Sequence, residues 1–342
     1  MENRFQFVDA AKGLGILIIV YTHICGDCCE PLRFLFCFHV PLFFFLSGMF
    51  FKMYDSGLEF LRRKVNTILL PFIGMYVVSY AFYFAKKALI GSIQNFTWLD
   101  FFNGDQMFNI PLWFLLSLFW MQAIFYVLNK VVKSPLGLCF CVLLLGATGY
   151  MGALQGWPNI LFIMATLSCL PWFYLGYVLK PLLLEKPMSR KQLTSGVLLL
   201  GIGLILAFYP PTPPRLLFFN NTITAGNGLE IYACSTSIVL GVILILKHSP
   251  SSVILCWFGL NSMIILVTHM LLTQVVYPIA NAIGFVGNLA MYVSFVVITL
   301  AMIGIVPLFN KYLPFLIGKK EILSRKAVDS ILFQLNPINK KV

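Results

Sequence analysis

Ten apolar stretches follow one another along this 342-residue chain, separated by short polar connectors. A bilayer demands about 20 apolar residues per helical crossing. Backbone in lipid must also satisfy its own hydrogen bonds, so such stretches are forced into helices. The spans run Gly13 to Ile24, Phe34 to Phe51, Ile68 to Phe84, Pro111 to Leu128, Leu136 to Met151, Ile160 to Leu179, Leu193 to Tyr209, Ile231 to Leu246, Val253 to Tyr277 and Leu289 to Phe309. The first is short as written and is expected to extend back through Phe7 and Phe5. The expected fold class is therefore all-α, a polytopic membrane protein of about ten transmembrane helices with both termini cytoplasmic.

Composition agrees. Charged residues make up 11% of the chain and hydrophobic residues 60%, with mean hydropathy +0.89, against roughly 25% charged in a soluble domain. A net charge of +12 raises nucleic acid as a partner, but the distribution excludes it. With the amino end inside, all but Arg33, Lys86, Lys87 and Arg215 of the 24 basic residues fall on cytoplasmic segments, as the positive-inside rule requires. No small-residue cleavage site follows the first span, so that span is expected to remain. Residues 1–317 read as one transmembrane domain and 318–342 as a basic amphipathic cytoplasmic tail. There Ile322, Leu323, Val328, Ile331, Leu332 and Leu335 alternate with basic residues, a pattern suited to the lipids of an anionic inner leaflet. The outer loop from Asn220 to Gly228 reads as a connector or a substrate-side loop. No internal or inverted repeat is visible. The oligomeric state stays open, a homodimer included.

Of the nine cysteines, six lie in spans as small apolar residues. Cys25, Cys28 and Cys29 cluster at the outer end of the first span, where a disulfide and a metal site are both conceivable; spacing alone decides neither. No metal ligand set is expected elsewhere.

Charge within a span is costly and marks function. The first span carries Asp9, Lys12 and His23. At 100° per residue Lys12 lies about 20° and Asp9 about 40° from His23, so all three share one face of the helix, and His23 stands about 16 Å deeper than Lys12. That face reads as the wall of a pore with a cation at its mouth and an imidazole inside. His39, early in the second span, and His269, roughly 24 Å into the ninth, fall at a similar level. A single intramembrane histidine can equally be a helix–helix hydrogen bond. His248 reads as a solvated loop residue. An imidazole suits removal of a proton from a hydroxyl near neutral pH. Asp9, about 21 Å from His23, is expected to pair with Lys12 or an arginine; Asp27, Glu30, Asp105 and Glu230 are the outer-side acids.

Further motifs recur in order: Arg4-Phe5-Gln6-Phe7-Val8-Asp9-Ala10-Ala11-Lys12-Gly13 with His23 ten intervening residues after Lys12, Phe38-His39-Val40-Pro41 running to Leu46-Ser47-Gly48, and Arg62-Arg63-Lys64 leading to Leu69-Leu70-Pro71-Phe72. Pro111-Leu112-Trp113-Phe114-Leu115, Phe173-Tyr174-Leu175-Gly176-Tyr177, and Gly259-Leu260-Asn261-Ser262-Met263 leading to His269 complete the series. With these pieces the chain resembles the acyltransferase-3 family of integral membrane acyltransferases, especially its fucose 4-O-acetylase-like branch. It departs from the pattern at Lys12, where many members carry arginine, and at Leu260, where a basic residue often precedes Asn-Ser.

The resemblance implies an O-acyltransferase of a bacterial plasma membrane that moves an acyl group, usually acetyl, from cytoplasmic acyl-CoA to a hydroxyl of a carbohydrate, polysaccharide or lipid-linked glycan. The expected catalytic residues are His23, His39 and Asp9. Lys12, Arg62 and Arg63 are the expected contacts for the phosphates of acetyl-CoA, and Trp113, Asn261, Ser262 and His269 the expected acceptor-side residues. For the arginines, topology and lipid contact are the competing account; for Trp113, packing is. A transporter or flippase of a glycan or small anion is the alternative activity. It predicts dispensable acyl-CoA contacts, and a structural membrane protein predicts dispensable intramembrane charges.

Overall fold

The computed structural model describes residues 5–26, 32–90, 107–187, 189–210 and 214–325. Cys28, Cys29, Asp27, Glu30, Asp105 and most of the expected tail lie outside them. Among the described residues, nine helices are long and apolar enough to cross a membrane, and a tenth apolar helical stretch, Phe34–Met49, is shorter. The protein is a helical, multi-pass membrane protein.

The first span is helix α1 (Gln6–Cys25), extended back past Gly13 as its phenylalanines suggested. A 3-10 turn (Leu32–Cys37) precedes the short α2 (His39–Met49). Helix α3 (Gly57–Lys64) passes through a π turn (Val65–Leu69) into α4 (Leu70–Ile90). There follow α5 (Trp113–Val131), α6 (Pro135–Gln155), α7 (Ile163–Lys180) and α8 (Arg190–Phe208). A hairpin, β1 (Arg215–Leu217) with β2 (Thr222–Ala225), leads to α9 (Gly228–His248). The ninth span is two helices, α10 (Val253–Leu260) and α11 (Ser262–Ala282), and α12 (Gly287–Tyr312) closes the set.

Local chemistry sets many of these ends. Ser134 caps α6 by accepting from Gly137 N–H at 3.3 Å, with Pro135 at the first helical position where its missing N–H costs nothing. Ser189 with Gln192, and Asn227 with Glu230, form reciprocal capping boxes on α8 and α9. Glu230, one of the outer-side acids, is thereby committed to holding a helix start.

Helix α1 is the hub, packing on α2, α9, α10, α11 and α12. Two close crossings, α1 with α10 and α2 with α7, are each made by a reciprocal pair of glycines. A Cβ on Gly13 would fall on the Leu255 carbonyl oxygen, and one on Gly259 would fall on that of Asp9, so α1 and α10 touch backbone to backbone. Likewise Gly48 of α2 lies against the Phe173 carbonyl, and Gly176 of α7 against that of Phe45. Small residues permit such approach where lipid offers no hydrophobic force between helices. Both pairs lie in the motifs singled out above.

Candidate active site

One elongated cavity of about 490 Å³ runs along α1. Its wall includes Lys12, Ile16, Ile19, Thr22, His23 and Gly26. That is a rise of about 21 Å from the first of these to the last. Lys12 and His23 of the stripe drawn from the sequence thus line a cavity, whereas Asp9 of the same stripe does not. Facing it are Val40, Phe43 and Ser47 of α2, Trp113, Phe114, Leu115 and Leu118 of α5, and Ser262, Met263 and Leu266 of α11. Lys12 marks one end, where its ammonium sits 5.5 Å from the centre of the Phe50 ring. Between Lys12 and the histidine level the lining is apolar except for hydroxyls. Two of these are occupied internally, Ser47 donating to Phe43 C=O at 2.7 Å and Thr22 to Ile19 C=O at 3.1 Å.

The other end is lined by the hairpin, which supplies Arg215, Leu216, Leu217, Phe218, Phe219 and Asn220. It is fixed in place by buried polar contacts. The Asn221 amide donates to Gly149 C=O at 3.0 Å and its oxygen accepts from Ser168 Oγ at 2.9 Å. The Asn159 amide donates to Phe219 C=O at 2.9 Å, and Cys37 Sγ–H to Pro214 C=O at 2.9 Å. Leu161 and Phe162 adopt positive φ values of 50° and 61° just before α7. Such a non-glycine pair costs on the order of 1–3 kcal/mol per residue. The Phe162 ring, 6.2 Å from Trp113 and 5.8 Å from Phe219 between centroids, supports the hairpin from below. The hairpin segment from Arg215 to Asn220 therefore forms part of the cavity wall, and of the loop read as a connector or a substrate-side loop only Asn220 reaches it.

His39 opens α2 and donates from Nδ1 to Leu35 C=O in the preceding 3-10 turn at 2.9 Å. The Phe36 ring lies beside it, 5.9 Å between centroids, and the Arg215 guanidinium sits 3.9 Å from the Phe36 ring centre. His23 Nδ1 lies 3.3 Å from His269 Nε2, the two rings within 5° of parallel. His23 and His39 line the cavity; His269 is fully buried behind His23. The three histidines do converge, although the depth inferred for His269 assumed one continuous ninth span. The break at Asn261 places His269 only seven residues into α11.

Several expected site residues stand elsewhere. His269 and Asn261 are not on the cavity wall; Asn261 ends α10 and donates to Trp257 C=O at 2.8 Å. Asp9 is buried at the α1–α10 crossing, off the wall. Arg62 and Arg63 are off it too. Arg62 is buried and its N–H groups hold Glu59 at 2.9 and 3.0 Å, Glu321 at 2.7 Å and Leu323 C=O at 3.0 Å. Asn66 accepts from the Ile322 and Leu323 N–H groups and donates back to Leu323 C=O at 2.9 Å. Arg62 thus straps the segment after α12 to α3. Its partner Glu59, three residues earlier, was the visible signal. Arg63 also bonds Glu59 and sits 5.4 Å from the Tyr54 ring centre. Trp113 and Ser262 do lie on the wall. Arg215 went unassigned, although a basic residue on the outer side runs against the charge asymmetry and is a signal in itself. Cys25 is disulfide-bonded, and the six other described cysteines are free. Among the described residues no group of three His, Cys, Asp or Glu is arranged to hold a metal ion.

A family model described as an acyltransferase domain matches residues 5–308. The chain belongs to this acyltransferase family. The matched region contains every helix from α1 to most of α12, and hence the whole cavity wall. No curated protein and no solved structure matches the chain. Within the matched region the cavity wall brings two imidazoles and two cations to one mostly apolar space.

Proposed function

We propose that this acyltransferase is an O-acyltransferase of the fucose 4-O-acetylase-like kind. It takes acetyl, or another short acyl group, from cytoplasmic acyl-CoA and places it on a hydroxyl of a sugar or envelope glycan, free or lipid-linked, at a plasma membrane. The observation that carries this reading is the single cavity with Lys12 at one end and His23 and His39 towards the other. Lys12, at the end the charge distribution assigns to the cytoplasm, holds donor phosphate. Arg63, exposed on the same basic side, adds to the attraction, whereas Arg62 serves the strap. The apolar wall from Ile16 to Leu118 accepts the uncharged thioester arm and rejects the phosphates, since charge in such surroundings is costly. The acceptor enters under the hairpin and stacks against Trp113, with Ser262 as a further polar contact on the wall.

His23 takes the hydroxyl proton as the acceptor oxygen attacks the thioester carbonyl. The tetrahedral intermediate expels the coenzyme A thiolate, and His23 returns the proton to that sulfur, so the residue ends as it began. The test is acetyl transfer by the full chain in lipid nanodiscs from acetyl-CoA to a panel of p-nitrophenyl glycosides, followed by mass spectrometry. Comparison of surface glycans from cells with and without the gene identifies the natural acceptor. His23→Ala is expected to lower transfer by roughly 10²–10⁴-fold, the usual worth of a general base, with insertion intact. Near-wild-type transfer in that variant overturns the mechanism.

A further inference from the structure

We infer that His269 is a positioning residue that makes His23 a base at the atom facing the cavity, through a two-imidazole chain anchored on the backbone. The inference rests on the reading of His23 as the proton acceptor and goes beyond it by assigning the tautomer and the group that sets it.

The argument begins at the buried end. A carbonyl oxygen can only accept, so the 2.8 Å contact between His269 Nδ1 and Ile265 C=O places a proton on His269 Nδ1. In neutral His269 the remaining nitrogen, Nε2, then carries a lone pair. That lone pair meets His23 Nδ1 at 3.3 Å, so the proton between the rings belongs to His23 Nδ1. Neutral His23 has one N–H, and its other nitrogen, Nε2, is left as the acceptor. His23 is on the cavity wall and His269, with no exposed surface, is not. The order from core to cavity is therefore carbonyl, imidazole, imidazole, substrate.

This chain does for His23 what a carboxylate does behind other catalytic histidines: it fixes the tautomer and ring orientation. It does so without placing a formal negative charge in a buried, apolar region, where such a charge is costly. It also accounts for the step in which charge appears. When His23 Nε2 takes the acceptor proton, the imidazolium keeps its Nδ1–H on His269 Nε2. That proton can shift across the 3.3 Å contact, moving the positive charge to His269, whose Nδ1–H already points at a carbonyl. No bond besides N–H is made or broken within the pair, and the return of the proton to the leaving thiolate reverses the shift. His39 has the carbonyl anchor but no second imidazole. The backbone around His269 is held as well, Thr273 Oγ donating to His269 C=O at 2.9 Å. Among the described residues the other ionisable groups on the cavity wall are Lys12, His39 and Arg215, and Lys86 of α4 reaches α11 at Gln274.

The experiment compares His269→Leu, His269→Gln and His23→Ala in nanodiscs, with acetyl-CoA as donor and coenzyme A release read by mass spectrometry across pH. Leucine cannot accept from His23 Nδ1–H, whereas the glutamine carbonyl can. His269→Leu is expected to lose on the order of 10²-fold or more in kcat with KM for acetyl-CoA unchanged. Its acid limb in kcat moves to lower pH, because the His23 imidazolium has lost its acceptor. His269→Gln recovers most of the rate. If His269→Leu fails to insert and fold, His269→Gln decides: a folded Gln variant without transfer overturns the inference. Wild-type kcat in His269→Leu beside a dead His23→Ala overturns the positioning role and leaves the base standing. Wild-type kcat in both overturns both. Equal losses in Leu and Gln with an unmoved acid limb reduce His269 to packing, which also overturns it.

Discussion

The sharpest test of the cavity as a path is a substitution that touches neither end of it. Ile19 lies between Lys12 and His23, about 40° from His23 around α1 and about 6 Å below it, and it forms part of the wall. Ile19→Trp places an indole in the passage. The whole cavity holds about 490 Å³, and the indole would take up part of it. Overpacking a filled core costs about 1–3 kcal/mol. Here the expected stability change is at the bottom of that range, a shift of about 2–4 °C in Tm for each kcal/mol. Transfer, by contrast, requires the thioester within reach of His23, and even a 1 Å misplacement can cost about 10²-fold. The expected result is a loss of that order or more in kcat/KM, with the thermal transition little moved. The control is Leu17→Trp, about 120° from His23 and off the cavity wall, which keeps its transfer rate per folded molecule. The assay is acetyl transfer in nanodiscs beside a thermal melt of the same preparations. Wild-type transfer by Ile19→Trp, or equal transfer by both variants, refutes the path.

Two further outcomes separate binding from architecture. Lys12→Ala should raise KM for acetyl-CoA more than it lowers kcat, and Lys12→Arg should be tolerated, while Arg62→Ala should leave KM alone and lower the melting temperature, the loss of its charged hydrogen bonds being worth about 1.5–3 kcal/mol each; saturation kinetics and melts check both. Gly48→Ala should cost about 1–3 kcal/mol or more because its Cβ meets the Phe173 carbonyl, whereas Gly201→Ala, which meets nothing within 4 Å, should stabilise α8 by up to about 1 kcal/mol; denaturation in detergent reads the difference.

The parts legible in the sequence were those governed by local rules. Apolar length located the crossings, and a 100° step put Lys12 and His23 on one wall, although it put Asp9 there too, where the structure has it at the α1–α10 crossing instead. What escaped was set by contacts between distant segments. The ninth span looked continuous because Leu260, Asn261 and Ser262 carry no proline or glycine break of their own. The bend follows from α10 being drawn backbone to backbone onto α1 through Gly13 and Gly259. The place of the hairpin over the cavity was hidden because Arg215 to Ala225 is too short to read as a span and its position is set by distant segments. It is held by hydrogen bonds to the Asn159 amide, the Ser168 hydroxyl and the Gly149 carbonyl, 60, 53 and 72 residues away in sequence. Arg62 was misread for a related reason: a basic cluster at a membrane edge has the same appearance whether it meets a phosphate, a lipid or, as here, Glu59 and Glu321.

On the proposed mechanism, the distribution of charge along the cavity lets the chemistry sit far from the donor's side. The wall has a cation at each end and, between Lys12 and the histidine level, no ionisable side chain among the described residues. A charged group moving through that stretch would leave water without meeting a partner, at a cost of several kcal/mol. An uncharged thioester arm meets no such penalty, so on the proposed mechanism the lining itself sorts the donor, holding phosphate at Lys12 while the acyl end advances. The same lining limits the base. A carboxylate behind His23 would add the negative charge this region excludes, and the imidazole–carbonyl chain through His269 and Ile265 orients the ring with neutral groups instead. Low polarity then becomes an advantage: hydrogen bonds in that chain are stronger than they would be in water, and water that would hydrolyse the thioester finds few polar atoms to hold it there.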